Sequence, residues 1–397
     1  MAGIYIHIPF CQSRCIYCDF YSTTHHEAKE AYIKALVKEL TLRAGYLQDE
    51  FSEPAEIKTI YLGGGTPSTL DASQLERIFS ALYHTYRISS EAEITLEANP
   101  DDLTTEKIKE LQSFPINRIS IGIQTFNNRE LHFLRRRHTA EQAIKAVKDC
   151  QNAGFSNISI DLIYGLPEQT ISQWQSNITQ ALQLDVPHIS AYALIYEENT
   201  ALWNLKEKGI ISETDEDTSL TMYNMLIDEL SDHHFQHYEI SNFAKSGYYS
   251  RHNSSYWNSI PYLGCGPSAH SYNGKSRQWN TADLKLYIEK MQSCTQPSDF
   301  KYADWIDREY LDNQTRYNDY IMTRLRTCWG ADLHFIEMEF GTRLKDYCLQ
   351  QASFHIKNGN LQLDKKNEQT KDGLLKLTRK GLFLSDGIIS DLFSVDD

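Results

Sequence analysis

No stretch of this 397-residue sequence approaches the roughly 18 consecutive apolar residues that a membrane-spanning helix needs. A secretory leader is not expected either. The first apolar run, IYIHIPF (4–10), is too short, contains His7 and has no basic segment before it. Basic charge is scarce. The 39 Lys and Arg face 53 Asp and Glu, a net charge of −14. That balance argues against a nucleic-acid or anionic-membrane role, because phosphates need a basic footprint. A local run such as RRRH (135–138) reads as a solvated face or an anion contact. Cys150, Cys265, Cys294, Cys328 and Cys348 are scattered and make no disulfide framework, so a reducing cytoplasm is expected. There is no internal repeat and no low-complexity segment. Neither a P-loop nor a Rossmann fingerprint is present.

What is present begins with an alternation. Short β-branched runs stand at IYIHI (4–8), IKTIYL (57–62), EITLEA (93–98), RISIGI (118–123), ISIDLI (158–163) and HISAYAL (188–194). Helix-like stretches lie between them: EAYIKALVKEL (30–40), then 71–86 with Asp71 as N-cap, 104–112 opening on Thr104, 139–154 ending on Gly154, and 170–182. Six such units predict an α/β fold with a parallel sheet and crossover helices, either open and doubly wound or a partial barrel. Each run ends in something polar or unusual: PFCQSRCIYC, GGGTP, EANP, GIQTF, DLIYGLP and YALIYEE. Ligands bind at the C-terminal edge of parallel sheets, so six such ends predict one site. After a helix at 218–230, residues 237–280 read as a loop tract rich in Tyr, His, Asn, Ser and Gly. From about 300, three helices and a strand pair turning at NGN (358–360) predict a small helical, winged-helix-like domain. The expected division is 1–215, 216–297 and 298–397.

FCQSRCIYCDF (10–20) carries Cys11, Cys15 and Cys18 with no fourth cysteine nearby. Structural zinc takes four ligands, and His25 or His26 would have to complete the set. An iron–sulfur cluster is the better reading, because three thiolates on a four-iron cube leave one iron open for chemistry. In GGGTP the glycines let backbone approach a ligand closely, and their carbonyls suit an ammonium group.

C-x3-C-x2-C after a first strand, with GGGTP after the second, resembles the radical S-adenosylmethionine (SAM) superfamily. That resemblance implies a [4Fe–4S] cluster on Cys11, Cys15 and Cys18, SAM on the open iron, and a partial (β/α)6 barrel. IYIHIPFC, GGGTPS, EANP, SIGIQTFN and DLIYGLP are similar to the oxygen-independent coproporphyrinogen III oxidase family of porphyrin biosynthesis. By motif, the resemblance implies SAM contacts at Tyr5, Gly64, Gly65, Thr66, Glu97, Gln124, Arg136 and Asp161, with Tyr17 near the nucleoside. Each role is chemically sound. Asp161 and Gln124 suit ribose hydroxyls, Arg136 a carboxylate, Glu97 an ammonium.

Two features move the chain away from the oxidase. Phe20 stands where the oxidase motif has another cysteine, and the longer segment preceding the oxidase cysteines is not seen here. RHNSSYW (251–257) matches the H-N-x-x-Y-W pattern of the haem-chaperone branch. There His252 is expected as an exposed-loop axial ligand for haem, with Tyr256 and Trp257 as flat surfaces. His138, or Cys265 in LGCGPSAH, is a further candidate ligand. The implied partners are haem and an acceptor protein, which could be membrane-associated. The competing expectation is an enzyme, a coproporphyrinogen decarboxylase that cleaves SAM to a radical.

Overall fold

The computed structural model describes residues 1–48, 53–300, 303–364 and 372–395. All six expected strands form: β1 (Ala2–Ile8), β2 (Ile57–Gly64), β3 (Ile88–Ala98), β4 (Arg118–Gln124), β5 (Ile158–Tyr164) and β6 (His188–Ala193). They pair in parallel in chain order, 1-2-3-4-5-6. Because the order never reverses, right-handed crossovers put every connecting helix on one face. That is the arrangement of a partial barrel. The helices are α1 (Lys29–Leu42), α2 (Ala72–Thr85), α3 (Thr105–Gln112), α4 (Asn128–Phe133), α5 (Ala140–Asn152), α6 (Ile171–Gln183), α7 (Ala201–Glu207) and α8 (Glu216–Asp232).

Local chemistry sets their ends. Asp71, Thr139 and Thr170 each form a capping box with a glutamine three residues on. Thr104 caps α3 from one side only, because Lys107 at the third helical position has no acceptor to return the bond. The strands carry long apolar runs since both faces are covered. β1 has only Tyr5 less than buried, and β5 only Asp161. Those two exceptions each line a cavity, and not the same one.

Residues 237–280 are not the loop tract their composition predicts. They form β7 (Gln236–Glu239), β8 (Asn242–Ala244), α9 (Arg251–Trp257), β9 (Tyr262–Cys265), β10 (His270–Tyr272) and β11 (Ser276–Asn280). After α10 (Leu284–Ser293) comes β12 (Ile306–Tyr310). These short strands extend the sheet at both edges to twelve, in the order 12-11-10-9-1-2-3-4-5-6-8-7. Each is only three to five residues long, too short to show a period, which is why periodicity missed them. Gly264 shows how tightly the new edge packs. A Cβ there would lie 1.9 Å from the His270 carbonyl oxygen.

The boundary expected at 298 falls before β12, which still belongs to the large sheet. A second core starts at Tyr317. It is built by α11 (Asn313–Leu325), β13 (Ala331–Asp332), α12 (Leu333–Phe340), α13 (Thr342–Lys357), β14 (Leu361–Asp364), β15 (Leu374–Leu377), α14 (Arg379–Leu382) and α15 (Ser385–Asp391). Helix, strand, two helices and a strand pair, with the strands ordered 13-15-14, is winged-helix connectivity. NGN closes α13 rather than joining two strands, and GLFLSDGII is helical. The turn between β14 and β15 lies largely outside the described residues. Among the described residues no helix is long and apolar enough to cross a membrane.

Candidate functional site

The C-terminal ends of β1 to β6 surround a polar pocket of about 450 Å³. Cys11, Cys15 and Cys18 lie on the loop after β1. The GGGTP turn supplies Gly65 and Thr66, β3 supplies Glu97, β4 Gln124, the segment after α4 Arg136, and β5 Asp161. Tyr17 completes this group and packs against Leu134 and Ile163. Ten of the predicted residues are therefore brought to one wall system. Gly64, Tyr5 and His252 are not.

Gly64 adopts φ +104°, and a Cβ there would lie 2.5 Å from the His7 ring. Its near neighbour is the chain itself rather than a ligand. Gly65 is similar: a Cβ would meet the Ile8 carbonyl at 2.7 Å. The glycines press the second strand end onto the base of the cysteine loop. Thr66 then donates to Cys11 Sγ at 3.4 Å.

Glu97 is held by Tyr61 Oη at 2.8 Å and by the Gly64 amide at 3.1 Å. Burial raises its carboxyl to about 7 against these two bonds. A bulge between Gly122 and Gln124, with Gln124 at φ +71°, re-aims Gln124 into the pocket. Asp161 accepts from Ser120 Oγ at 3.3 Å, and burial raises its carboxyl too.

The arginine run resolves by geometry. Arg135 is exposed, and Arg137 pairs with Asp101 and with Asp102 at 3.0 Å. Arg136 alone turns inward. It donates to Cys15 Sγ at 3.3 Å, and to Asn99 Oδ1 and the Gly122 carbonyl at 2.6 Å each. Its buried Nε has no partner.

The donor set fits a cluster rather than a single ion. Among the described residues only His334, Glu337 and Asp372 bring three ligand atoms within 4.8 Å, so the cysteine sulfurs are spread wider than one ion accepts. His25 pairs with Glu27 at 3.2 Å, and His26 bonds the Cys11 carbonyl at 3.2 Å. Neither completes a zinc site. Burial pushes the Cys18 thiol up to about 11 and raises Cys11 as well. Metal uptake there must release protons.

Sequence reasoning missed three contributors. Asn99, in EANP, bridges Arg136 and Thr66 (3.3 Å). Tyr192 lines the pocket from β6. Arg118, the first residue of β4, is almost completely buried, and its Nε has no partner. Its charge opposes the rise of the Glu97 and Asp161 pKa values. A lone arginine opening an apolar run was the available signal.

A second cavity, about 560 Å³, adjoins the first. It is walled by Tyr21, Tyr256, Trp257, Tyr262 and Tyr272, with His7 and His270, and Tyr5 belongs here. Asp19 and Phe20 line both cavities.

His252 is not an exposed-loop residue. It lies on α9, 1 % exposed, with Nδ1 bonded to Thr59 Oγ1 and Nε2 to Tyr256 Oη, each at 2.8 Å. Its ring stacks on Tyr61 at 5.1 Å. Both nitrogens are occupied because Glu93 anchors the helix start by accepting from the Arg251 and His252 amides. Burial lowers its pKa to about 3. His138 is also buried, bonded to the Ile123 carbonyl at 3.1 Å, and lines neither cavity. Cys265 is fully buried and lines neither cavity.

Residues 5–180 match the Radical SAM superfamily, and residues 311–386 the HemN C-terminal domain. A Lactococcus lactis subsp. lactis (strain IL1403) protein named "Heme chaperone HemW" is 34% identical over 394 residues, 99% of this chain and 97% of that one. Its Bacillus subtilis (strain 168) namesake is 38% identical over 291 residues, 73% of this chain and 76% of that one. The solved coproporphyrinogen III oxidase (HemN) of Escherichia coli, a radical SAM enzyme, shares the fold. The TM-score is 0.81 over 99% of this chain and 90% of that one, at 22% identity.

Proposed function

The chain belongs to the HemW family of haem chaperones within the radical SAM superfamily, and from that premise we propose that it binds haem and hands it to an acceptor protein. One observation carries this reading. A polar pocket with three cysteines and an aromatic cavity of cofactor size stand wall to wall.

Cys11, Cys15 and Cys18 hold a [4Fe–4S] cluster, and the polar pocket takes SAM. When bound, the cluster would supply a redox-active centre. Arg136 offers an unpartnered N–H to a carboxylate, Glu97 accepts from an ammonium group, and Gln124 and Asp161 bind ribose hydroxyls. Gly65 and Thr66 fix the turn beneath, and Tyr17 flanks the nucleoside. Tyr5 and Gly64 act from behind, through His7 and Glu97. The aromatic cavity takes the porphyrin.

Oxygen-independent coproporphyrinogen III oxidase is the second reading, supported by the complete set of SAM-side groups in the polar pocket. Phe20 weighs against it, since a hydrocarbon stands where the oxidase motif has a thiol. Anaerobic reconstitution followed by two assays on one preparation tests the choice. A stoichiometric Soret titration without coproporphyrinogen III decarboxylation is expected. Turnover without stoichiometric haem binding would overturn the chaperone reading.

A further inference from the structure

Three histidines stand in or against the aromatic cavity, and two are already engaged. His7 uses Nδ1 on Tyr5 Oη (3.1 Å) and Nε2 on the Tyr21 carbonyl (2.8 Å). His252 uses both nitrogens on Thr59 and Tyr256. Freeing either ring would strand a buried partner. His270 differs. It is exposed at the cavity wall, and its ring nitrogens have no hydrogen-bond partner among the described residues.

His270 is nonetheless oriented. On β10 it faces Trp279 of β11 across the antiparallel pair, and the rings stack at 5.7 Å and 22°. The absent Cβ at Gly264 lets β10 come this close to β9. Partial desolvation of the ring against the cavity wall, and then the Arg277 charge, lower the His270 pKa, which favours the neutral, metal-binding ring.

The geometry points to His270 as the axial ligand to haem iron in the aromatic cavity. This rests on the haem-chaperone reading above and names the group that the H-N-x-x-Y-W pattern does not supply. Tyr256 and Tyr262, whose rings meet edge to face at 4.5 Å, offer surfaces to the macrocycle. Trp257 adds a third ring to this wall. Arg277 is already held by Glu309 (2.9 Å) and Asp319 (3.2 Å). In this arrangement His252 is a positioning residue. It fixes Tyr256 and, through Tyr61, reaches Glu97.

The test is a ferric haem titration of the full chain, read by Soret absorption and electron paramagnetic resonance. Wild type, His270→Ala, His270→Ala with added imidazole, and His252→Ala are compared, with circular dichroism reporting the fold of each. The expected result is loss of the histidine-ligated signature in His270→Ala, its return with imidazole, and, in His252→Ala, weaker haem uptake with the histidine-ligated signature intact at saturation. An unchanged signature in His270→Ala would overturn the assignment. So would a loss that imidazole does not restore, or a loss in a folded His252→Ala. A wild-type chain that takes up no haem overturns the chaperone reading itself, and the ligand with it.

Discussion

The two adjoining cavities are built by different means. The polar pocket gathers side chains from and beyond the ends of six parallel strands, and charged and hydrogen-bonding groups share its walls with an apolar stretch at Ile163, Leu194 and Ile195. The aromatic cavity is assembled from β1, α9, the short edge strands and α11, and its walls are mostly rings. In the first, function rests on a few fixed contacts, such as Arg136 on Asn99. In the second it rests on shape and on one free imidazole. A single substitution should therefore act sharply on one cavity and leave the other nearly intact.

The largest effect is expected at the cysteines. Cys15→Ser should abolish the brown absorbance of the reconstituted cluster while haem titration of the same protein still proceeds. If haem binding disappears with the cluster in a folded variant, the two cavities are not separable. Next comes Arg136→Met. It removes charge-assisted bonds worth about 1.5–3 kcal/mol each, so calorimetry should show SAM bound at least about tenfold more weakly. The haem titration should not move.

A pH series sharpens the contrast. An ammonium group needs Glu97 ionised, so SAM affinity should rise as pH climbs through about 7, and Glu97→Gln should flatten that rise. Arg118→Leu removes a cation that holds the Glu97 carboxyl down and should push the rise to higher pH. Stability runs the other way. The folded chain keeps a proton that the unfolded chain has released, so Glu97's contribution falls as pH rises from its ordinary 4.5 to about 7. Thermal melts of wild type and Glu97→Gln should diverge across that window and run parallel above it.

A smaller effect belongs to His252→Ala. It leaves Thr59 and Tyr256 without their partner, costing about 1–3 kcal/mol in a denaturant melt. Phe20→Ala should be smallest in stability, because the ring is 64 % exposed, and it alone should alter ligand affinity in both cavities.

How much the sequence disclosed follows the same division. Cys11, Cys15, Cys18, Glu97 and Gln124 sit at or just beyond strand ends, Asp161 lies within β5 and Arg136 follows α4, and motif marks all seven. Ile4, Ile6 and Ile8 announced a buried strand because both its faces are covered. Asn99 and Arg118 escaped notice because their meaning is tertiary: one bridges Arg136 to Thr66, the other is a cation enclosed at the start of β4. β7 to β11 escaped because strands of three to five residues are too short to carry a period to read. His252 was placed wrongly for a related reason. A histidine in a polar run looks solvent-facing until Glu93, from a strand over 150 residues earlier, pins its helix against the sheet.

The wall formed by Asp19 and Phe20 makes the two cavities thermodynamic neighbours. Whatever factor SAM occupancy applies to haem affinity through that wall, haem must apply to SAM affinity in return. A chain emptied of its cargo would then differ in nucleoside retention from a loaded one, and the ratio of the two affinities measures how far this thin partition works as a switch between holding and letting go.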